Sequence, residues 1–266
     1  MRLENSAMAG VAVAIGFIIA GGLKLGDAGS WVGIILAIVS VFMITGAGNT
    51  INDYYDRDAD RKNAPHRPIP SGDISPRHAL YLAMILFLAG VFISSFINYA
   101  CLALAGFNSI LLFLYGRNLK SSFFVGNVAV SYLTASTFIY GALVIQNPLP
   151  TIFLVLLAFL VNVGREMIGD AGDIEGDRKA GITTIATRLG IRKTWLYGRA
   201  YIVAAILLSP IPYLTGIMDL YYVGPVLIAD GIFVVSIITS SAKLNQQLTK
   251  IGMFIGLVAF LLGAVL

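Results

Sequence analysis

The sequence predicts an all-α membrane protein with nine transmembrane helices and a cytoplasmic N-terminus. Three observations support this: the composition is strongly apolar, apolar runs recur at membrane-spanning length, and the basic residues fall in alternate loops. Of the 266 residues, 58% are hydrophobic and 12% are charged, and the mean hydropathy is +0.84. Soluble domains contain about 25% charged residues, so this chain has too little charge to cover a water-exposed surface. The composition excludes a soluble globular enzyme, a disordered chain, a nucleic-acid-binding domain and a disulfide-rich secreted domain.

A transmembrane helix needs about 20 consecutive, mostly apolar residues. We therefore predict nine spans, at residues 7–25, 31–52, 78–97, 100–116, 123–145, 149–168, 193–216, 220–240 and 249–266. The short basic start of the chain could mimic a signal peptide, but no small-residue cleavage site with a soluble sequel follows it. We expect the first span to be retained.

The basic residues indicate the orientation, because cytoplasmic loops of membrane proteins are enriched in Lys and Arg. With the N-terminus inside, the cytoplasmic segments are 1–6, 53–77, 117–122, 169–192 and 241–248. Of the 18 basic residues, all except Lys24 lie in or beside these segments. We therefore predict a multi-pass protein of the plasma membrane, with its C-terminus outside and its active site on the cytoplasmic side.

Two acidic motifs stand at the start of the two longest cytoplasmic segments. At about 100° per residue, the polar side chains of the first motif fall on one arc of a helix: Asn52, Asp53, Asp56 and Asp60. The acids of the second motif fall on a narrower stripe: Glu166, Asp170, Asp173 and Asp177. Length and charge concentrated in two loops on the same side are typical of a functional site in a membrane protein.

The two motifs repeat each other at an offset of 117 residues. This offset converts the three acids of the first motif into the three aspartates of the second, and an Arg-Lys pair follows each motif. We predict one domain over residues 1–266 that arose by duplication of a four-helix unit, with one further helix; a shared functional demand without duplication is the alternative. In either case the two stripes are expected to face each other.

Stacked carboxylates in a bundle need a cation. An Asp at bilayer depth costs about 2.5–3.5 kcal/mol on insertion scales, and like charges raise each other's pKa. Mg²⁺ prefers oxygen ligands and typically takes one or two carboxylates together with substrate phosphates. Two stripes therefore suit two Mg²⁺ ions that bridge a diphosphate. The predicted metal ligands are Asn52, Asp53, Asp56, Asp60, Asp170, Asp173 and Asp177.

Two other interpretations of the acids stay open at this stage. One is a solvated loop with salt bridges at the helix ends, and the other is a cation-transport pathway. The interleaved basic residues favour a phosphate site, because Arg chelates phosphate oxygens and Lys provides a point charge. The candidate phosphate-binding residues are Lys62, Arg67, Arg117, Lys120, Arg178, Lys179 and Arg188. Some of these are expected to act only as determinants of topology.

The paired motifs resemble the two signatures of the UbiA superfamily of intramembrane prenyltransferases, and the resemblance covers nearly the whole chain. It implies a nine-helix bundle around a central cavity, with two Mg²⁺ ions holding an isoprenyl diphosphate. It also implies a lateral opening towards the membrane lipids and a hydrophobic acceptor lipid. Catalytic roles follow for Asp56, Asp173 and Lys120. No nucleic-acid partner is expected, and the oligomeric state is left open.

Within that superfamily, the stretch Pro65–Gly72 and the motif that begins at Arg165-Glu166 are similar to archaeal digeranylgeranylglyceryl phosphate synthases. This similarity implies transfer of a geranylgeranyl group to the free hydroxyl of geranylgeranylglyceryl phosphate, which forms the second ether bond of archaeal lipids. The candidates for the acceptor's phosphate are Arg67, Lys120 and Arg188. Tyr115, a further candidate for substrate binding, begins a segment that follows the superfamily's Tyr-x-Tyr-x-Lys-Arg pattern only loosely. Prenylation of an aromatic acceptor in quinone biosynthesis is the alternative.

Overall fold

The structure, a computed structural model, describes residues 3–25, 28–179 and 181–266. Within these ranges it is all-helical, without strands, and nine of its helices have 16 or more residues. They are α1 (Leu3–Ile19), α2 (Ala28–Tyr55), α3 (Pro76–Ser94), α4 (Tyr99–Arg117), α5 (Val125–Leu143), α6 (Ile152–Lys179), α7 (Ile191–Leu208), α8 (Val223–Ile238) and α9 (Ala242–Val265). Shorter helices lie in the connections, among them Arg57–Asn63 and Ile185–Leu189.

Seven helices of the described chain are long and apolar enough to cross a membrane: α2, α3, α4, α6, α7, α8 and α9. The multi-pass architecture expected from the sequence is therefore present. Helix α1 is apolar but has 17 residues, and α5 carries polar side chains such as Asn127 and Ser131. For these two helices the predicted membrane crossing stays a prediction.

The outer surface of the bundle is apolar, as a lipid environment requires. Large side chains such as Leu88, Leu207 and Ile238 are 68%, 72% and 72% exposed. Inside, small residues allow helix backbones to approach closely, a common packing mode in membranes. A Cβ added at Gly16 of α1 would lie 1.9 Å from the carbonyl oxygen of Phe138 in α5. The α1–α5 crossing therefore depends on glycine at this position.

Two helices are longer than the others and carry the acidic motifs. Helices α2 and α6 each have 28 residues, which corresponds to about 42 Å at 1.5 Å per residue. The hydrocarbon core of a bilayer is about 30 Å thick, so both helices extend well beyond it. Each places its acidic motif at its C-terminal end.

Candidate functional site

The first acidic motif lies where α2 gives way to the short helix Arg57–Asn63. The arc predicted for residues 52–60 is not one regular helix, because α2 ends at Tyr55 and Asp56 stands between the two helices. The helical register nevertheless continues across the break. The Asp56 N–H donates to the Asn52 carbonyl at 2.9 Å, and the Asp60 N–H donates to the Asp56 carbonyl at 2.8 Å. The motif therefore keeps the one-sided arrangement expected from the sequence.

Cationic side chains compensate the first motif. Arg67 donates to the carboxylate of Asp60 at 2.6 Å and lies 3.7 Å from that of Asp53. Lys120 donates to the carboxylate of Asp56 at 2.5 Å. The hydrogen bond with Asp60 raises the pKa of Arg67 further above its ordinary value. Two of the basic residues predicted to bind phosphate are thus held beside the acids predicted to bind metal.

The second acidic motif is built differently, on one uninterrupted helix. Asp170 accepts a hydrogen bond from the amide of Asn127 in α5 at 3.0 Å, and Asp177 accepts one from the hydroxyl of Thr184 at 3.2 Å. Asp173 is exposed. In the described parts of the chain, no Lys or Arg forms a salt bridge with these three carboxylates. Asp170 and Asp177 are therefore held by neutral donors, and Glu166 at the start of the motif forms a salt bridge with Arg165.

The connection between α4 and α5 links the two motifs. Tyr115, near the end of α4, interacts electrostatically with Asp56 of the first motif and with Glu166 and Asp170 of the second. Further along the same segment, Lys120 contacts the first motif and Asn127 contacts the second. The two acidic stripes therefore lie on either side of one segment.

The donor set fits Mg²⁺, which prefers hard oxygen ligands. The side-chain oxygen of Asn52 is buried and has no hydrogen-bond partner among the described residues, so a carbonyl donor is free beside the first motif. No three Asp, Glu, His or Cys side chains of the described residues converge into a closed metal cluster. The physical reason is that the acids of the first motif are turned towards Arg67 and Lys120, while those of the second lie across the connecting segment.

Other basic residues predicted to bind phosphate lie outside these contacts. Arg117, Arg178 and Lys179 are exposed, and Arg188 lies over the ring of Phe123, 5.5 Å from its centre. The side chain of Lys62 is not among those described. Of the predicted basic set, the structure brings Arg67 and Lys120 to the acids.

Sequence reasoning missed Asn127 and Thr184 as parts of the site. A buried Asn in a helix of membrane-spanning length is a signal that could have identified Asn127, since polar groups inside a membrane are costly and usually functional. Thr184 caps the short helix Ile185–Leu189 in a capping box. Its side chain thus organises a loop and contacts Asp177 at the same time.

Relatives of this chain come from several archaea. A protein named digeranylgeranylglyceryl phosphate synthase from Methanopyrus kandleri is 40% identical over 265 residues, which covers 98% of this chain and 96% of that protein. A protein of the same name from Methanothrix thermoacetophila is 41% identical over 266 residues, covering 99% and 97%. The similarity therefore extends over both acidic motifs and the helices that carry them.

Solved structures give the same result for the fold. A structure described as that of digeranylgeranylglyceryl phosphate synthase in membranes has a TM-score of 0.87 and 32% identity, covering 99% of this chain and 95% of that one. A UbiA homologue from Archaeoglobus fulgidus, bound to DMAPP and Mg²⁺, has a TM-score of 0.67 and 16% identity over 98% and 99% of the two chains. The family model of the UbiA prenyltransferases matches residues 10–263. The chain therefore belongs to the UbiA prenyltransferase family.

Proposed function

We propose that this protein transfers a geranylgeranyl group from geranylgeranyl diphosphate to the free hydroxyl of geranylgeranylglyceryl phosphate, forming the second ether bond of an archaeal membrane lipid. The observation that carries the proposal is the pair of acidic motifs on either side of the α4–α5 connection, with Arg67 and Lys120 paired to acids of the first motif. Relatives that are 40% and 41% identical over nearly their full length are named digeranylgeranylglyceryl phosphate synthase.

In this reaction the allylic carbon–oxygen bond of the donor breaks, and negative charge develops on the leaving diphosphate. Preorganised cations stabilise such a charge most effectively in a site that excludes water. Arg67 and Lys120 can supply such cations, since carboxylates hold both side chains in place. Tyr115 lies between the motifs and can orient the diphosphate through its hydroxyl group. The acceptor hydroxyl then captures the allylic cation and loses its proton.

The residues that would hold two Mg²⁺ ions are divided between the stripes. Asn52, Asp56 and Asp60 would serve one ion, with Asp53 as a ligand or supporting acceptor. Asp170, Asp173 and Asp177 would serve the other. When bound, the ions neutralise the diphosphate and thereby make it a better leaving group. The Mg²⁺ and DMAPP bound by the Archaeoglobus fulgidus homologue support this ligand class for the family.

The same proposal includes a topology. We place the N-terminus and the acidic stripes on the cytoplasmic side of the plasma membrane, because the basic residues concentrate at that end of the predicted helices. Labelling single engineered cysteines at position 58 and position 219 with a membrane-impermeant reagent tests this. In intact cells, position 219 should react and position 58 should not; the reverse pattern would invert the topology.

The proposed reaction is tested by prenyl transfer with purified protein, Mg²⁺ and labelled geranylgeranyl diphosphate. The acceptors compared are geranylgeranylglyceryl phosphate, 4-hydroxybenzoate and a naphthoate. Product with the glyceryl phosphate alone is the expected result. Product with an aromatic acceptor alone would assign the protein to quinone biosynthesis, and no product with any acceptor would favour the cation-transport interpretation.

A further inference from the structure

Helix α9 packs along α6 beside the second acidic motif. A Cβ added at Gly172 of α6 would lie 2.8 Å from the Cβ of Ala242, and one added at Gly169 would lie 2.3 Å from the side-chain amide nitrogen of Gln246. The contact positions descend along α6 as they ascend along α9, so the two helices run antiparallel. Glycines at a helix interface allow such a close approach. The first two turns of α9 therefore lie at the level of the second motif.

The contact between α6 and α9 adjoins the acidic stripe of α6. At about 100° per residue, Gly169 lies about 40° around the helix from Asp173 and about 60° from Glu166, on the same side of both. Asp170 lies about 100° from Gly169, and its carboxylate accepts a hydrogen bond from Asn127 of α5. The stripe is therefore flanked by α5 on one side and by α9 on the other.

The two flanking helices each bring a side-chain amide to the stripe. The amide of Asn127 is engaged, because it donates to Asp170 at 3.0 Å. Gln246 is half-buried with its amide against Gly169, and in the part of the chain that the structure describes this amide makes no hydrogen bond. A side-chain amide carries two N–H donors. Gln246 therefore has donors available for an oxygen ligand beside the stripe.

The surroundings of Gln246 limit what this oxygen ligand can be. The carboxylates of the second motif repel a free anion, so an anionic ligand needs a metal ion that compensates its charge. A phosphate oxygen bound together with Mg²⁺ meets this condition. A neutral amide suits such a ligand, because a Lys in its place would pair with the acids, as Lys120 pairs with Asp56 in the first motif. The amide can donate to phosphate and leave the carboxylates free for the ion.

We propose that Gln246 is a further substrate-binding residue, whose amide donates a hydrogen bond to a phosphate oxygen of the donor diphosphate. The proposal rests on the proposed function, because it adds a residue to the diphosphate site of that reaction. Arg67 and Lys120 approach the diphosphate from the first motif, and Gln246 contacts it from the second. Donors on both sides stabilise the negative charge that develops as the allylic carbon–oxygen bond breaks.

Gly169 provides the space that this amide occupies. A Cβ at position 169 would overlap the amide nitrogen of Gln246, whereas the next nearest atom, the carbonyl carbon of the same side chain, is 3.6 Å away. Only the far end of a flexible side chain must move to accommodate the added methyl group. Gly169→Ala therefore displaces the amide and leaves the two helices in place. The glycine and the glutamine are expected to act as one unit.

The test measures calorimetrically how geranylgeranyl diphosphate binds, with Mg²⁺ and without acceptor, to the full-length protein in nanodiscs. Gln246→Met keeps the length of the side chain but removes its donors, so binding should weaken about tenfold, as expected for one lost hydrogen bond to a charged group. Gln247→Met is the matched control, because Gln247 is exposed and points about 100° further around α9; it should bind with wild-type affinity. Gly169→Ala should weaken binding as Gln246→Met does, and the double variant should bind no more weakly than either single variant.

Transfer kinetics complete the experiment. Gln246→Met should raise KM for geranylgeranyl diphosphate and leave KM for geranylgeranylglyceryl phosphate at the wild-type value. If the wild type binds the diphosphate but transfers nothing to this acceptor, the proposed function is wrong, and the binding comparison still decides the role of Gln246. Unchanged affinity in both Gln246→Met and Gly169→Ala would overturn the inference. An equal loss in Gln247→Met, additive losses in the double variant, or a rise in the acceptor KM alone would also overturn it.

Discussion

The two acidic motifs share their spacing but differ in how their charge is compensated. In the first motif, Arg67 and Lys120 pair with the aspartates. In the second, Asp170 and Asp177 accept hydrogen bonds from the neutral donors Asn127 and Thr184. Neighbouring carboxylates without a cationic partner repel each other, so a bound divalent cation stabilises them more than it stabilises carboxylates already paired with Arg or Lys. We therefore expect the second motif to depend more on bound metal for its charge balance. The first motif instead offers cations that can move from carboxylate to diphosphate. Similar sequences thus provide two different electrostatic environments.

The equal spacing of the motifs remains an argument for duplication. Both stand at the C-terminal ends of helices of 28 residues, and we propose that they derive from one four-helix unit. The differences in their partners then arose later, because the residues that contact them lie outside the repeated motifs.

Replacement of one central acid in either motif is the largest expected effect. Asp56→Ala and Asp173→Ala should each reduce turnover at least about 1,000-fold, because preorganised charge at the leaving group is lost. Asp58→Ala and Glu175→Ala are the matched controls, since these acids neighbour the motif positions on exposed surface. Steady-state transfer rates measure the effect, and circular dichroism checks that the bundle is intact. Full activity in either central variant would contradict the two-stripe arrangement.

Removal of metal is expected to abolish transfer without unfolding the bundle. Treatment with EDTA should stop turnover, and added Mg²⁺ should restore it, because oxygen donors of both motifs need the ion to hold the diphosphate. The melting temperature in EDTA serves as the control for folding. Transfer that continues after complete chelation would show that Arg67 and Lys120 are sufficient for leaving-group stabilisation.

A smaller effect is expected from the neutral donor of the second motif. Asn127→Leu removes the hydrogen bond to Asp170, and loss of such a supporting partner typically costs about 10- to 100-fold in metal affinity or activity. The measurement is the Mg²⁺ concentration for half-maximal transfer. Asn108→Leu is the matched control, because the Asn108 amide bonds Ser136 rather than an acid of the motifs. An equal shift in both variants would assign Asn127 to helix packing.

The stability of the metal-free protein provides the most sensitive comparison. Asp60→Asn should lower the free energy of unfolding by about 1–2 kcal/mol, because the partly exposed Arg67 loses a charged hydrogen-bond partner. Asp173→Asn should change it by less than about 0.5 kcal/mol, as is usual for an exposed position. Denaturant titration in detergent with EDTA, followed by the fluorescence of the two Trp residues, measures both. Equal losses would mean that the charge compensation of the two motifs does not differ.

Hydropathy predicts the middle of the helices better than their ends. The spans expected at 78–97 and 100–116 correspond to Pro76–Ser94 and Tyr99–Arg117. The span expected at 149–168 belongs to a helix that continues to Lys179, because hydrogen bonding continues where the apolar composition ends. The last helix begins at Ala242 rather than near 249, since Ser241 caps it by accepting from the Leu244 N–H.

By itself the sequence determined the membrane class, the two acidic motifs and their oxygen chemistry. These features depend on composition and on helical periodicity, which act over a few neighbouring residues. Only the tertiary structure decided that Lys120 pairs with Asp56 and that Asn127 bonds Asp170. Such contacts join residues distant in the chain, and they depend on how closely the helices approach and in which register they pack.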